Sequence, residues 1–219
     1  GRLNMRKAAA LRTAAAIFLA AGCSEKSPSN KFYPMNAGSE WIYQTESKSH
    51  AGTDASEIIQ TEAKSSVKKE GGKEYRLISY SVNSSDKLKT EYYIMDGENI
   101  SLAKVSYNGK DMTFNPPMMI LPSENYDKDE WNWEGEGSFG KGKASFKQTK
   151  ADIVSKDPYI VATRVDSTIN AGGRVIRESK WFCMDCGLVK SSCSIEKDGK
   201  IESEITSKIT NFSITKENK

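Results

Sequence analysis

The sequence contains very little histidine. His50 is the only histidine among 219 residues, and it lies in the Gly- and Ser-containing stretch SKSHAGTD. A Ser-His-Asp catalytic set would have to combine Ser47 or Ser49 with His50 and Asp54. Residues so close in a loop cannot be assumed to reach triad geometry, and the sequence has no nucleophile elbow. We therefore expect no catalytic residues and predict that the chain is not an enzyme.

Cysteine is also scarce, with four residues, three of which lie in SKWFCMDCGLVKSSC. Cys183 and Cys186 form a C-x-x-C, but a thioredoxin-type thiolate needs a helix N-terminus. The flanking Trp181-Phe182 and Leu188-Val189 are typical of strands instead. Zinc takes four ligands at paired spacing, and only three cysteines are near. We expect no metal site and no cofactor.

Long apolar runs are missing as well. The longest extends from Ala14 to Ala21, which is far shorter than the roughly 20 residues that a membrane-spanning helix needs. It follows the basic residues Arg6, Lys7 and Arg12. This order of basic and then apolar residues indicates a secretory signal.

The run ends in Leu-Ala-Ala-Gly-Cys at residues 19–23, which resembles the lipobox of bacterial lipoproteins. The resemblance implies cleavage before Cys23 and attachment of palmitate-type lipid to it, so residues 1–22 would be a signal peptide with an N-terminal extension. Residues 23–31 would be a lipidated tether. Ser24 implies sorting to the outer membrane, facing the periplasm or the cell surface. The alternative is an amphipathic or buried helix.

Excess positive charge belongs only to the start of the chain. The first 22 residues contain four basic and no acidic side chains, so their removal lowers the formal charge from +3 to −1. The remaining lysines are interspersed with acidic residues, as on a solvated surface. A protein with this charge has no excess cations to hold a nucleic acid, and we expect no nucleic-acid partner.

Helical periodicity is lacking beyond the tether. The best helical candidate, ASEIIQTEAKSSVKK, also suits a strand, whereas Trp41 and Tyr43 alternate with Ile42 and Gln44 as in a half-buried strand. Turn dipeptides separate the segments: Asp96-Gly97, Asn108-Gly109 and Asp198-Gly199. The pattern predicts a mainly β protein with a curved or partly closed antiparallel sheet of roughly ten to twelve strands. Helix is expected only in the signal peptide or as a minor element.

The domain prediction is a single β-rich domain over residues 32–214, followed by a flexible tail at 215–219. Two similar halves, 32–113 and 118–214, are suggested by a Pro…Trp-x-aromatic pattern that opens each. The segment FNPPMMILP divides them. Because a double proline cannot sit in a central strand, we expect this segment to be an extended crossover.

Trp131 and Trp133 alternate within an acidic, aromatic stretch. Together they could form an aromatic binding face for a sugar or a cation. The same alternation fits one strand that turns both rings into the core. We favour the core, because burial is the usual role of large aromatic side chains.

The predicted export of the chain decides how the cysteines are interpreted. Thiols pair in an oxidising compartment, so we expect a disulfide between two of Cys183, Cys186 and Cys193, with the third thiol free. Cys183 with Cys186 is the local choice. Cys183 with Cys193 is the alternative if Gly187 makes the turn of a tight hairpin.

Two segments carry a family resemblance. FYPMNAGSEWIY is similar to the Tyr-x-Pro-Leu-x-x-Gly-x-x-Trp-x-Tyr opening of a group of uncharacterised bacterial lipoproteins. KWFCMDCGLVK resembles that group's later Trp-Tyr-Ala-x-Gly-x-Gly-Leu-Val-Lys element. The matching residues are Pro34, Gly38, Trp41, Tyr43, Trp181, Gly187, Leu188, Val189 and Lys190. The resemblance implies a β-rich fold, in some members like the curved sheet of Lol-type lipoprotein carriers, but it implies no activity.

The predicted function is that of a lipid-anchored, non-enzymatic lipoprotein of the cell envelope. Its lipid at Cys23 would hold it to the membrane, and its concave sheet would bind a hydrophobic ligand or a partner protein. A structural or assembly role at the outer membrane is the alternative. A thiol oxidoreductase is a third hypothesis, and only the C-x-x-C motivates it.

Overall fold

The computed structural model describes residues 30–50, 55–82, 87–156 and 159–216. The predictions for the signal peptide, for Cys23 and for most of the tether lie outside these ranges. The described residues form twelve strands: β1 (Glu40–Ser49), β2 (Ala55–Glu70), β3 (Lys73–Val82), β4 (Lys87–Asp96), β5 (Asn99–Tyr107), β6 (Lys110–Leu121), β7 (Glu130–Gly137), β8 (Gly140–Lys156), β9 (Tyr159–Ala171), β10 (Arg174–Cys183), β11 (Gly187–Lys197) and β12 (Lys200–Ser213).

The strands form a closed antiparallel barrel in which each strand pairs with the next along the chain and β1 pairs with β12. The prediction of a mainly β fold with ten to twelve antiparallel strands is confirmed, and the sheet closes completely. The proposed halves do not form separate sheets, since β1–β12 and β6–β7 pairings join them. No helix in the described ranges is long and apolar enough to cross a membrane.

Local sequence explains the turns. Asn108-Gly109 and Asp198-Gly199 adopt positive φ at both positions, as the two-residue hairpin turns require. The segment that was the best helical candidate is strand β2, where Ala63 and Ser65 face inward and their neighbours Lys64 and Ser66 are exposed. Its alternating burial is that of a strand with one face on the core.

The two ends of the barrel differ. The far rim carries the ends of β1, β3, β5, β7, β9 and β11 and the starts of the strands that follow them. The near rim carries the remaining strand connections and both described chain ends, Asn30 and Lys216. Residues 30–39, which we call the plug, lie at the near rim and insert Tyr33 and Met35 into the core.

Hydrogen bonds fasten the plug to three separate loops. The Asn30 side-chain amide donates to the carbonyl oxygens of Glu98 (2.7 Å) and Pro122 (3.4 Å), and the Asp185 amide donates to the Lys31 carbonyl (2.8 Å). Asn30 and Lys31, which the sequence assigns to the tether, are therefore bonded to the barrel. The predicted tail is also partly bound, since the Thr215 carbonyl accepts a hydrogen bond from the Asn36 side chain (2.8 Å).

The barrel is weakest at the junction of β6 and β7, which we call the seam. The seam contains one paired position, Asn115 with Glu136, and the Asn115–Pro116 peptide bond is cis. The sequence predicted that the double proline lies in an extended crossover between two halves. This prediction is wrong, because both prolines lie within strand β6. The ladder to β5 is also interrupted there, between Lys104 and Leu102. A strand can contain two prolines where the neighbouring strands need no backbone N–H donor from it.

Candidate functional site

The lumen of the barrel has two unlike walls. Large apolar side chains from β5 to β8 fill one side: Leu102, Phe114, Met118, Trp131, Trp133 and Phe146. Hydroxyl groups line the opposite side on β1, β2 and β12. The Thr45 and Ser207 hydroxyls lie 2.9 Å apart, and the Thr61 hydroxyl donates to Thr45 at 3.2 Å. One wall is therefore dry and packed, and the other offers hydrogen-bonding groups.

Trp131 and Trp133 belong to the packed wall. Trp131 is buried and stacks on Phe146 with ring centroids 5.2 Å apart, and Trp133 meets the edge of Phe114 at 5.9 Å. Their indole N–H groups donate to carbonyl oxygens of β6, at 2.9 Å and 2.8 Å, which supplies hydrogen bonds that the seam's ladder lacks. The structure places both rings in the core, so neither forms an open stacking face.

Four charged side chains meet inside the lumen and form what we call the charge network. Strands β4 and β10 lie diametrically opposite in the twelve-strand order. Lys89 on β4 binds Glu91 on the same strand (3.0 Å), and Lys180 on β10 binds Glu178 on the same strand (2.9 Å). Glu91 and Lys180 interact electrostatically across the lumen. Because each charge has an opposite neighbour, the network can remain ionised inside the barrel.

Two tyrosines donate hydrogen bonds to Glu91, and a third tyrosine joins them to the plug. The hydroxyls of Tyr80 and Tyr93 donate to its Oε2 at 2.8 Å and 2.6 Å. Tyr33 of the plug is hydrogen-bonded to Tyr80. Burial, followed by the negative charge of Glu91, raises the pKa of all three hydroxyls. They therefore stay protonated as donors, and they connect the charge network to the plug.

The network also sets the ionisation of its members. Burial alone would raise the pKa of Glu91, but Lys89, Lys180 and the hydrogen bonds from Tyr93 and Lys89 together lower it to about 2. Burial opposes the charge of Lys180, yet Glu178 and Glu91 raise its pKa above the ordinary value. Both groups are thus charged at neutral pH.

Acid is expected to destabilise the barrel through Glu91. Its pKa is about 2 in the folded state against an ordinary value of 4.5, so its contribution is fully present above pH 4.5 and disappears as the pH falls towards 2. By linkage the contribution amounts to about 3 kcal/mol. Urea unfolding measured between pH 2 and 6 should show this loss in the wild type and a flatter profile in Glu91→Gln. Identical slopes in the two proteins would contradict the assignment.

Solvent reaches the charge network from the far rim. The side-chain exposed fraction is 8% for Glu91, 16% for Lys180, 25% for Glu178 and 35% for Lys89. Ile205 is paired with the inward-facing Cys193 near the far rim, and it is 36% exposed. The lumen is therefore a cup: the plug closes it at the near rim, and it is accessible to solvent at the far rim.

The C-x-x-C is the turn between β10 and β11, and it lies beneath the plug. The Trp41 indole donates to the Cys186 carbonyl (2.7 Å), and the Tyr43 hydroxyl donates to the Leu188 carbonyl (3.0 Å). Gly187, at φ +89°, lies directly against the Trp41 ring. The two sequence segments that carry the family resemblance are thus in contact, and together they build the closed end of the cup.

The three cysteines that the structure describes are free thiols, so the predicted disulfide is not formed. The cross-strand neighbour of Cys183 is Gly187, whereas that of Cys193 is Glu178, which lies five residues from Cys183 along β10. At about 3.3 Å per residue this separates the two cysteines by roughly 16 Å, which rules out the Cys183–Cys193 alternative.

Two of the thiols, Cys186 and Cys193, have pKa values that are too high for a thiolate nucleophile. Burial, together with Cys183, raises the pKa of Cys186 to about 11. Burial and the charge of Glu178 raise the pKa of Cys193 to about 11. Reactive cysteines instead have lowered pKa values near cations or helix N-termini. Both thiols are therefore protonated at neutral pH.

His50 lies at the far rim, where its Nε2 is 3.2 Å from Glu204 Oε2. Asp54, the acidic member of the rejected triad, is outside the described ranges. Among the residues that the structure describes, no three His, Cys, Asp or Glu side chains are grouped to hold a metal ion.

No protein-family model matches the chain, and no curated protein matches it. Solved structures resemble it weakly. A Bacteroides fragilis protein thought to be exported, with a YmcC-like fold, has a TM-score of 0.40 and 12% identity over 84% of this chain and 99% of its own. A Parabacteroides distasonis protein thought to be a lipoprotein has a TM-score of 0.43 and 11% identity over 84% and 100%. A DUF1329 family protein of Desulfovibrio piger has a TM-score of 0.25 and 10% identity over 84% and 88%. Likeness at this level transfers no function.

Proposed function

We propose that the chain is a lipid-anchored, non-enzymatic lipoprotein of the cell envelope, held at the outer membrane through Cys23, which binds a small amphipathic ligand in the lumen of its barrel. The observation that carries this proposal is the cup, whose plug closes one end while solvent reaches the inward-facing charges from the other. A barrel that served only as a rigid spacer would have no need of an accessible polar interior.

The upper lumen offers a surface for an apolar chain. Ile169, Ile176 and Ile195 form a cross-strand row on β9, β10 and β11, and Ile205 follows on β12. These isoleucines are half-buried or exposed although their strands are paired on both sides. The free energy of binding is favourable when a ligand removes apolar area of this kind from water.

The charge network below the isoleucines suggests the polar end of the ligand. It contains two cations and two anions, so its formal charge is zero. A strongly charged headgroup would be repelled by the two side chains of like charge while it was attracted by the two of opposite charge. Hydroxyls of Thr45, Thr61 and Ser207 supply donors and acceptors nearby. These features favour a neutral or zwitterionic amphiphile over a simple fatty acid anion.

The raised pKa of Cys186 and the position of the C-x-x-C in a strand turn count against the oxidoreductase hypothesis. A partner protein at the far rim, where Tyr107, Met112 and Ile201 are exposed, is the alternative occupant of the same cup.

Binding can be tested with the neutral fluorescent probe N-phenyl-1-naphthylamine. We expect saturable binding by the wild type and a loss of affinity of roughly tenfold or more in Ile195→Trp, which adds bulk inside the lumen. Ile58→Trp is the matched control, because Ile58 lies on β2 with 61% exposure. Thermal unfolding verifies that both variants fold. Absence of saturable binding, or an equal loss in both variants, would overturn the proposal.

A further inference from the structure

Two strands continue past the last paired residues of their neighbours at the near rim, where Val154 and Ile160 line a cleft with residues 208–212 of β12. The pairing of β7 with β8 ends at Glu130–Lys147, and that of β10 with β9 ends at Phe182–Thr163. Past these points, β8 and β9 continue to pair with each other as far as Lys156–Tyr159. We call residues 148–156 and 159–162 the ribbon.

The ribbon exposes large apolar side chains to solvent. The exposed fraction is 51% for Ile153, 67% for Tyr159 and 37% for Val161, and Met184 on the adjacent β10–β11 turn is 43% exposed. Ile153 and Val161 are direct cross-strand partners, so they face the same side. Exposed apolar residues that cluster on one projecting element mark an interaction surface more often than scattered ones do.

The base of the ribbon is held in a fixed position. Asp152 accepts hydrogen bonds from the Trp181 indole (2.7 Å) and from Arg164 (3.3 Å). A cleft of about 390 Å³ separates one side of the ribbon from the plug, and Phe32, Val161 and Met184 line it. The projection is thus a defined part of the fold at the end of the barrel where the plug lies.

The tether connects this end of the barrel to the predicted lipid. Phe32, which lines the cleft beside the ribbon, is nine residues after Cys23. Nine extended residues span at most about 30 Å, which is comparable to the length of the barrel strands. A lipid on Cys23 would therefore hold the near rim against a bilayer unless the tether ran fully extended along the barrel.

We propose that the ribbon and Met184 form a membrane-contact surface that inserts into the boundary between lipid headgroups and acyl chains. The proposal rests on the proposed lipid anchor at Cys23. Tyrosine at the tip suits this depth, because its ring is apolar and its hydroxyl is polar.

Charge contributes little to this contact. The basic side chains at this rim, Lys31, Lys150 and Lys156, are interspersed with the acidic Glu124, Asp152 and Asp185, and Lys31 pairs with Glu124 at 3.6 Å. Apolar area supplies the attraction, so binding should not depend on anionic headgroups and should resist salt. With the ribbon in the bilayer, the solvent-accessible end of the cup faces away from the membrane.

The test compares tryptophans placed at the two ends of the barrel. The lipidated full chain is reconstituted into phosphatidylcholine vesicles, with and without dibrominated acyl chains, as Tyr159→Trp and as Tyr107→Trp. Tyr107 is the matched control, since it is 51% exposed and lies at the far rim. Bromine should quench about half or more of the fluorescence that Tyr159→Trp adds over wild type, since an interfacial side chain reaches acyl-chain depth. It should leave Tyr107→Trp unchanged, and high salt should not restore the fluorescence.

Flotation of the vesicles and the mass of the Cys23 peptide report the anchor independently. If the chain floats but bromine quenches both variants equally, or neither of them, the ribbon proposal is overturned and the anchor stands. If the chain carries no lipid and does not float, the anchor is overturned and the ribbon proposal with it.

Discussion

Replacement of Glu91 by leucine is expected to lower the free energy of unfolding by about 3–5 kcal/mol, the usual cost of leaving buried charges without their partner. The substitution removes the carboxylate that Lys89 and Lys180 share and the acceptor of the Tyr80 and Tyr93 hydroxyls. For a domain whose total stability is of the order of 5–15 kcal/mol, this is a large fraction. Urea titration of the purified protein at pH 7 measures it directly.

Two further variants make the result specific. Glu134→Leu removes an anion that binds Lys143 on the outer surface, where both side chains are more than 70% exposed, and it should change stability far less. Glu91→Gln keeps the size and an acceptor for the tyrosines, so its effect should lie between the two. Equal losses in Glu91→Leu and Glu134→Leu would show that the charge network does not support the fold.

Alanine at Gly187 is expected to cost more than alanine at any turn glycine of the far rim. Its φ of +89° is unfavourable for a residue with a side chain, and the added Cβ would lie 2.9 Å from the Trp41 indole nitrogen and 3.2 Å from the Tyr33 ring. The backbone conformation costs about 1–2 kcal/mol. Displacement of the fully buried Trp41 and loss of its hydrogen bond to Cys186 add about 1–2 kcal/mol more.

The matched control is Gly199→Ala. Gly199 has φ +74°, and no described atom lies within 4 Å of an added Cβ. The stability lost in this variant should therefore come from the backbone conformation alone. Thermal unfolding of both variants, with limited proteolysis near Lys31, would separate the two contributions. If both variants lose the same stability, close packing of the plug on the C-x-x-C turn is not what closes the barrel.

The strand pattern was predictable because its causes are local. Alternation of Trp41 and Tyr43 with polar neighbours shows one buried face, and Asn108-Gly109 and Asp198-Gly199 favour positive φ whatever the fold. Closure was not predictable from such signals. The pairing of β1 with β12 joins residues about 155 to 170 positions apart, and neither strand shows in its sequence which neighbour it takes.

The interior charges escaped prediction for a related reason. Lys89 and Glu91, or Glu178 and Lys180, look in sequence like the solvated face of a strand, and only the closed barrel turns them towards each other. Likewise, hairpin register, which the sequence left open, decides that Cys193 lies opposite Glu178 and not Cys183.

The seam shows how one side chain can compensate for another. A double proline argued against a strand at residues 116–117, because proline donates no hydrogen bond. The prolines accordingly lie where the ladder to β7 is almost absent, and the Trp131 and Trp133 indoles donate to β6 carbonyl oxygens that the ladder leaves without a backbone donor. The two aromatic residues that the sequence assigns to the core therefore also satisfy backbone carbonyl groups of β6.

The plug determines how a mechanical load would enter the protein. A pull on the tether reaches Asn30 and Lys31, which are bonded to the β4–β5, β6–β7 and β10–β11 connections. Force is then shared among three attachments in parallel before it reaches the first rung of β1. A tether that continued straight into β1 would instead peel the β1–β12 ladder one hydrogen bond at a time, and would open the barrel at the strand pair that closes it.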